Sequence, residues 1–136
     1  MSELDLLTLG RAMTENEISL FAQVITINFA MVVAIYYFLH QANLAMKIFT
    51  YFFAYLAGMA LYLGEMLVET NQKVAVLNML RALPQPSELT QRYLAVNDSW
   101  LGIATAVVFN GAFWVLAIGV FYLLFFWKKN ADPAQR

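Results

Sequence analysis

Residues Leu101–Trp127 read LGIATAVVFNGAFWVLAIGVFYLLFFW, twenty-seven residues without one formal charge. A helix crossing the hydrocarbon of a bilayer needs about 20 predominantly apolar residues. With no water to satisfy an open backbone, helix is the form such a segment must take. Two more windows match it. Ile18–Leu39 (ISLFAQVITINFAMVVAIYYFL) carries no charge, and the window from Ile48 to Val68 is interrupted only by Glu65. Helices of a soluble bundle would each show a polar stripe. The first and third windows show no charged face, which argues against that alternative.

Composition agrees. The 136 residues are 62% hydrophobic with a mean hydropathy of +0.63, and 12% are charged, about half the share of an ordinary soluble domain. There are no cysteines, so disulfides, thiolate metal sites and cysteine nucleophiles are excluded. The single histidine, His40, rules out bis-histidine haem ligation within one chain, leaving only pairing between symmetric copies. A net charge of −1 gives no electrostatic reason to expect a nucleic-acid partner.

The fold expected is an all-α integral membrane protein with three transmembrane helices in one membrane domain, 1–136. Residues 1–13 (LDLLTLGRAM and its flanks) read as an N-terminal interfacial segment. Thr14 and Glu17 form a capping-box pattern that would open the first span near Glu15, giving helix one as 15–40. The first window is too long for a signal-peptide core and is preceded by acids, not by a basic region. A short connection, Gln41–Lys47, predicts an antiparallel hairpin with helix two. Helix two is expected over 46–83, extended beyond the bilayer. Val74, Leu77, Leu80 and Leu83 continue at helical spacing after Glu69, until Pro84 and Pro86 stop it. The segment 84–97 holds a short return helix, and Asn97 or Asp98 would cap helix three over 98–127. Residues 128–136 form a polar tail.

Three spans put the N-terminus and the second connection on one side. Each side carries four Lys or Arg residues, so the raw count does not orient the chain. Lys47 and the Lys128–Lys129 pair lie directly at span ends, and the acids gather on the other side. The expected arrangement is a bacterial inner-membrane protein with the C-terminus in the cytoplasm and the N-terminus outside. Aromatics in YYF (36–38), FTYFFAY (49–55) and FYLLFFW (121–127) gather at the cytoplasmic end. Tyrosine and tryptophan there suit the interface, and the phenylalanines suit helix contacts or lipid.

Small residues are the first candidates for function. Ala54 with Gly58, Ala60 with Gly64, and Ala104, Gly111 and Gly119 in helix three let helix backbones approach closely, where lipid supplies no hydrophobic drive. They could serve packing within one chain, between copies, or against a partner. Gln23, with Ser19 and Thr26, forms a stripe on helix one, with Asn28 on another face and Asn110 near the middle of helix three. Interhelical hydrogen bonding is the plain reading of these, and a polar pathway the sharper one.

Glu65 is the one ionisable residue expected inside hydrocarbon, with Glu69 a turn further out at the headgroups. Its stripe includes Ala54, Gly58 and Leu61 and so should face a helix contact. Lys73 or Arg92 would be its partner, and ion or proton handling its functional reading. No serine elbow, phosphate loop, metal spacing or Cys/His pair appears. No catalytic residue and no cofactor is therefore assigned. The expected function is a non-catalytic membrane subunit that self-associates or docks in a larger membrane complex, with the lipid bilayer and other membrane subunits or copies of itself as partners. The alternative is a small homo-oligomeric channel or transporter with Glu65, Asn28 and Asn110 near its polar path. A third reading is an enzyme subunit that helps bind a lipid, quinone or pigment at the aromatic end.

Overall fold

The structure, a computed structural model, describes residues 1–128. Lys129, Asp132 and Arg136 of the expected polar tail lie outside the described residues. The described chain is all-helical, and three of its helices are long and apolar enough to cross a membrane.

Helix α1 runs Glu3–Tyr37 without a break. It opens on Ser2, whose Oγ accepts from the Asp5 N–H at 3.2 Å while the Ser2 N–H donates to Asp5 Oδ2 at 2.9 Å. That reciprocal pair satisfies two of the donors a helix start leaves unpaired. The expected opening at Thr14 is therefore corrected, because the Thr14 hydroxyl turns back to the Gly10 carbonyl at 3.1 Å, as a mid-helix threonine does. Residues 3–13 run on into the rest of α1 as its first three turns.

A 3-10 turn, Leu39–Gln41, reverses the chain. Helix α2 then spans Leu44–Arg81. Asn43 caps it, accepting from the Met46 N–H at 2.8 Å, and residues Thr50–Leu56 widen into a π-helical stretch. Helix α3, Glu88–Asp98, starts on the Ser87 cap, and α4 follows as Trp100–Phe125. The residue between them, Ser99, opens α4. Asn97 and Asp98 are not its caps. Asn97 donates to the Tyr93 carbonyl at 2.9 Å within α3, and Asp98 takes the Arg81 guanidinium. The junction is tight. A Cβ on Gly102 would stand 2.2 Å from the Asn97 backbone oxygen, so the turn needs glycine.

Two separate cores hold the helices. Near the hairpin end, Val24 and Ile35 of α1, Tyr51, Tyr55 and Met59 of α2, and Val120 and Leu124 of α4 are buried together. At the opposite end, Leu6, Leu7 and Met13 of α1 pack on Val76 and Leu80 of α2, with Tyr93 and Leu94 of α3 against them. Glu3 fastens that end. Its Oε1 accepts from the Ser87 N–H at 2.8 Å, from Ser87 Oγ at 2.6 Å and from Thr90 Oγ1. These donors hold the Glu3 carboxyl below the ordinary glutamate range, the Ser87 hydroxyl contributing most. The Ser2 hydroxyl and N–H do the same for Asp5.

The outside is apolar. Phe29 and Val115 are each 70% exposed and Trp114 62%. In water such a surface would drive aggregation.

Candidate functional site

The residues singled out in the sequence divide among three places. Asn28 sits in the first core, 4% exposed. Its Nδ2 donates to the Val24 carbonyl at 2.7 Å, and its Oδ1 accepts from Tyr55 OH at 2.5 Å. Tyr51 stacks on Tyr55 at 5.4 Å and donates its hydroxyl to the Ala117 carbonyl of α4 at 2.8 Å. Two tyrosines thus tie α2 to both other long helices. Tyr51 and Tyr55 are buried, against the interfacial placement expected of tyrosines at this end, while Phe49, Phe52 and Phe53 lie exposed. A buried tyrosine needs a hydroxyl partner, and α1 and α4 each supply one.

Gln23, Ala60, Gly64, Glu65 and Glu69 line one groove between α1 and α2, together with Asn16, Ser19 and Leu20. It is shallow, with a volume of about 560 Å³. Thr26 is not part of it, and its hydroxyl returns to the Ala22 carbonyl at 2.9 Å. The expected partners of Glu65 go elsewhere. Lys73 binds Glu17 of α1 at 3.1 Å, joined there by Thr70 Oγ1 at 3.2 Å. Arg92 takes Glu88 one turn back on its own helix, at 2.5 Å. Eight residues of helix separate Glu65 from Lys73 by roughly 12 Å, too far for an ion pair, whereas Glu17 arrives at the same level. Glu65 makes no hydrogen bond or ion pair among the described residues, and Glu69 accepts from Asn16 Nδ2 at 3.5 Å.

The stripe of Glu65 faces an open groove beside α1, not a close helix contact. Ala54, Leu61 and Glu65 are exposed, and α2 turns Tyr51, Tyr55 and Met59 inward instead. Nor do the small residues serve close packing within the chain. A Cβ added at Gly58, Gly64, Gly111 or Gly119 would meet nothing within 4 Å. Ala60 is exposed and Ala104 half-buried.

Asn110 lines a second, larger groove of about 730 Å³, walled by α1, α2, α3 and α4. Its Nδ2 donates to the Ala106 carbonyl at 2.9 Å. No sequence pattern pointed to this groove, because its walls come from four helices at mixed spacing. Asn28, Glu65 and Asn110 thus share no polar path within one chain. Among the described residues no three His, Cys, Asp or Glu side chains converge to hold a metal. Protein-family models, curated proteins and solved structures were all compared with the chain, and none matches.

Proposed function

We propose that the chain is a non-catalytic integral membrane subunit that assembles, with copies of itself or with other membrane subunits, through the faces its own fold leaves open. The observation that carries this reading is the open space at Gly58, Gly64, Gly111 and Gly119. Small residues suit close helix approach in lipid, and nothing in this chain comes within 4 Å of a Cβ placed at these four.

Three spans would place the hairpin at one membrane face. Helix α2, at 38 residues, is roughly 57 Å long, well over the ~30 Å hydrocarbon thickness. Its C-terminal turns, the start of α1 and the whole of α3 would then stand beyond the bilayer, packed as the second core. The cationic residues at the other end, Lys47 and Lys128, favour a cytoplasmic hairpin and C-terminus. The channel reading is less favoured, since its three polar residues lie in a core and two different grooves.

The test is native mass spectrometry of the chain released from lipid nanodiscs. A defined multimer, or a defined complex with other subunits, is expected. Gly64→Leu and Gly111→Leu should abolish it while leaving the helical content unchanged. A wild-type chain that stays monomeric and unaccompanied across a hundredfold concentration range would remove the proposal.

A further inference from the structure

The larger groove is amphipathic along its length. Three cations line its rim, Arg11 of α1, Lys73 of α2 and Arg92 of α3, against one lining acid, Glu17. Glu17 neutralises Lys73 and Glu88 neutralises Arg92. Arg11 makes no ion pair among the described residues, so the rim holds a surplus positive charge. Toward the hairpin end its walls carry Leu63 and Met66 on α2 and Ala106 on α4, with Thr105 and Asn110 beside them. Phe109 marks the far end, its ring 4.7 Å from Phe21 of α1.

Two magnitudes select the occupant. From Lys73 to Leu63 the helix descends about 15 Å, half of the ~30 Å hydrocarbon core and so the depth of one leaflet. The volume of about 730 Å³ leaves room for an extended acyl chain along the groove. Charge selects its headgroup. Arginine binds phosphate through a planar fork of donors, and a headgroup with its own cation would offset the attraction.

We infer that this groove holds one anionic phospholipid. Its phosphate sits at the rim of Arg11, Lys73 and Arg92, and an acyl chain lies along Leu63, Met66 and Ala106. The site stands on its own geometry and does not require the assembly proposed above.

The experiment uses the full chain in nanodiscs of equimolar phosphatidylglycerol and phosphatidylcholine, ejected for native mass spectrometry. One retained lipid per chain is expected, phosphatidylglycerol over phosphatidylcholine by roughly fivefold for each cation that counts. Arg11→Gln combined with Arg92→Gln should bring the ratio toward one. Lys47→Gln, an equal loss of charge at the opposite end, should leave it unchanged. Ala106→Trp, which fills the apolar part, should remove both lipids. Equal retention of the two lipids by the wild type overturns the inference, as does absence of any adduct. So does an unchanged ratio in the double variant when its circular dichroism matches the wild type.

Discussion

Tyr55 donates its hydroxyl to Asn28 Oδ1 at 2.5 Å, joining α2 to α1 inside the first core. Both residues are buried, so neither can exchange its partner for water. Hydrogen bonds between membrane helices contribute about 0.6 kcal/mol on average and at most about 1.7. The short, enclosed geometry places this one toward the upper figure. Tyr55→Phe and Asn28→Leu, singly and together, form a double-mutant cycle readable by reversible unfolding in mixed micelles. A coupling of about 1 kcal/mol is expected, and additive single effects would show that the contact contributes nothing net.

The α3–α4 junction makes a sharper claim about one glycine. A Cβ on Gly102 would meet the Asn97 carbonyl oxygen at 2.2 Å. Backbone, not a flexible side chain, would have to move. Gly102→Ala should therefore cost about 1–3 kcal/mol, the range of overpacking. Gly119→Ala meets open space and should be neutral or slightly stabilising in the monomer. Thermal melts of the two variants in one detergent would decide this, and equal melting temperatures would contradict the tight turn.

Much of this was legible beforehand, and the rest failed for physical reasons. The three apolar windows, the two prolines ending α2 and the short α3 follow from local pattern, which chain chemistry dictates. The start of α1 was misplaced because Thr14 and Glu17 imitate a cap, while the working pair, Ser2 and Asp5, lies twelve residues earlier. The inward face of α2 was misread because Tyr51 and Tyr55 look interfacial in composition. What buries them is an asparagine on α1 and a carbonyl on α4, partners that no local pattern records. The larger groove was invisible for the same reason.

Acid should loosen one end of the molecule before the other. Three donors from Ser87 and Thr90 favour the ionised form of Glu3 and hold its carboxyl below the usual range. A depressed folded-state pKa stabilises above the unfolded value, and that contribution is lost as pH falls through the folded one. The anchoring of α3 should thus be complete at neutral pH and fade only at acid pH, below the ordinary glutamate range. Hydrogen exchange of α3 amides in wild type and Glu3→Gln would show it. The variant should be less protected at pH 7, and the two should converge in acid. A constant difference at every pH would mean that the Glu3 charge plays no part.

The two acids nearest the middle of the molecule should behave oppositely. Glu17 binds Lys73 at 3.1 Å, and their side chains are only 13% and 18% exposed. An exposed pair contributes about 0–1 kcal/mol, and breaking a fully buried one costs about 3–5. This pair lies between, so Glu17→Gln should cost on the order of 1–2 kcal/mol. Glu65 has no partner among the described residues and lines an open groove, so Glu65→Gln should leave the melting temperature unchanged. Glu17→Gln has a second consequence. It frees Lys73 at the rim of the larger groove and should raise the preference for phosphatidylglycerol there, while Glu65→Gln does not. Melting curves and lipid-adduct ratios on the same two variants check both halves. A destabilised Glu65→Gln would relocate the fold's buried ion pair, and an unaltered lipid ratio in Glu17→Gln would separate Lys73 from the headgroup.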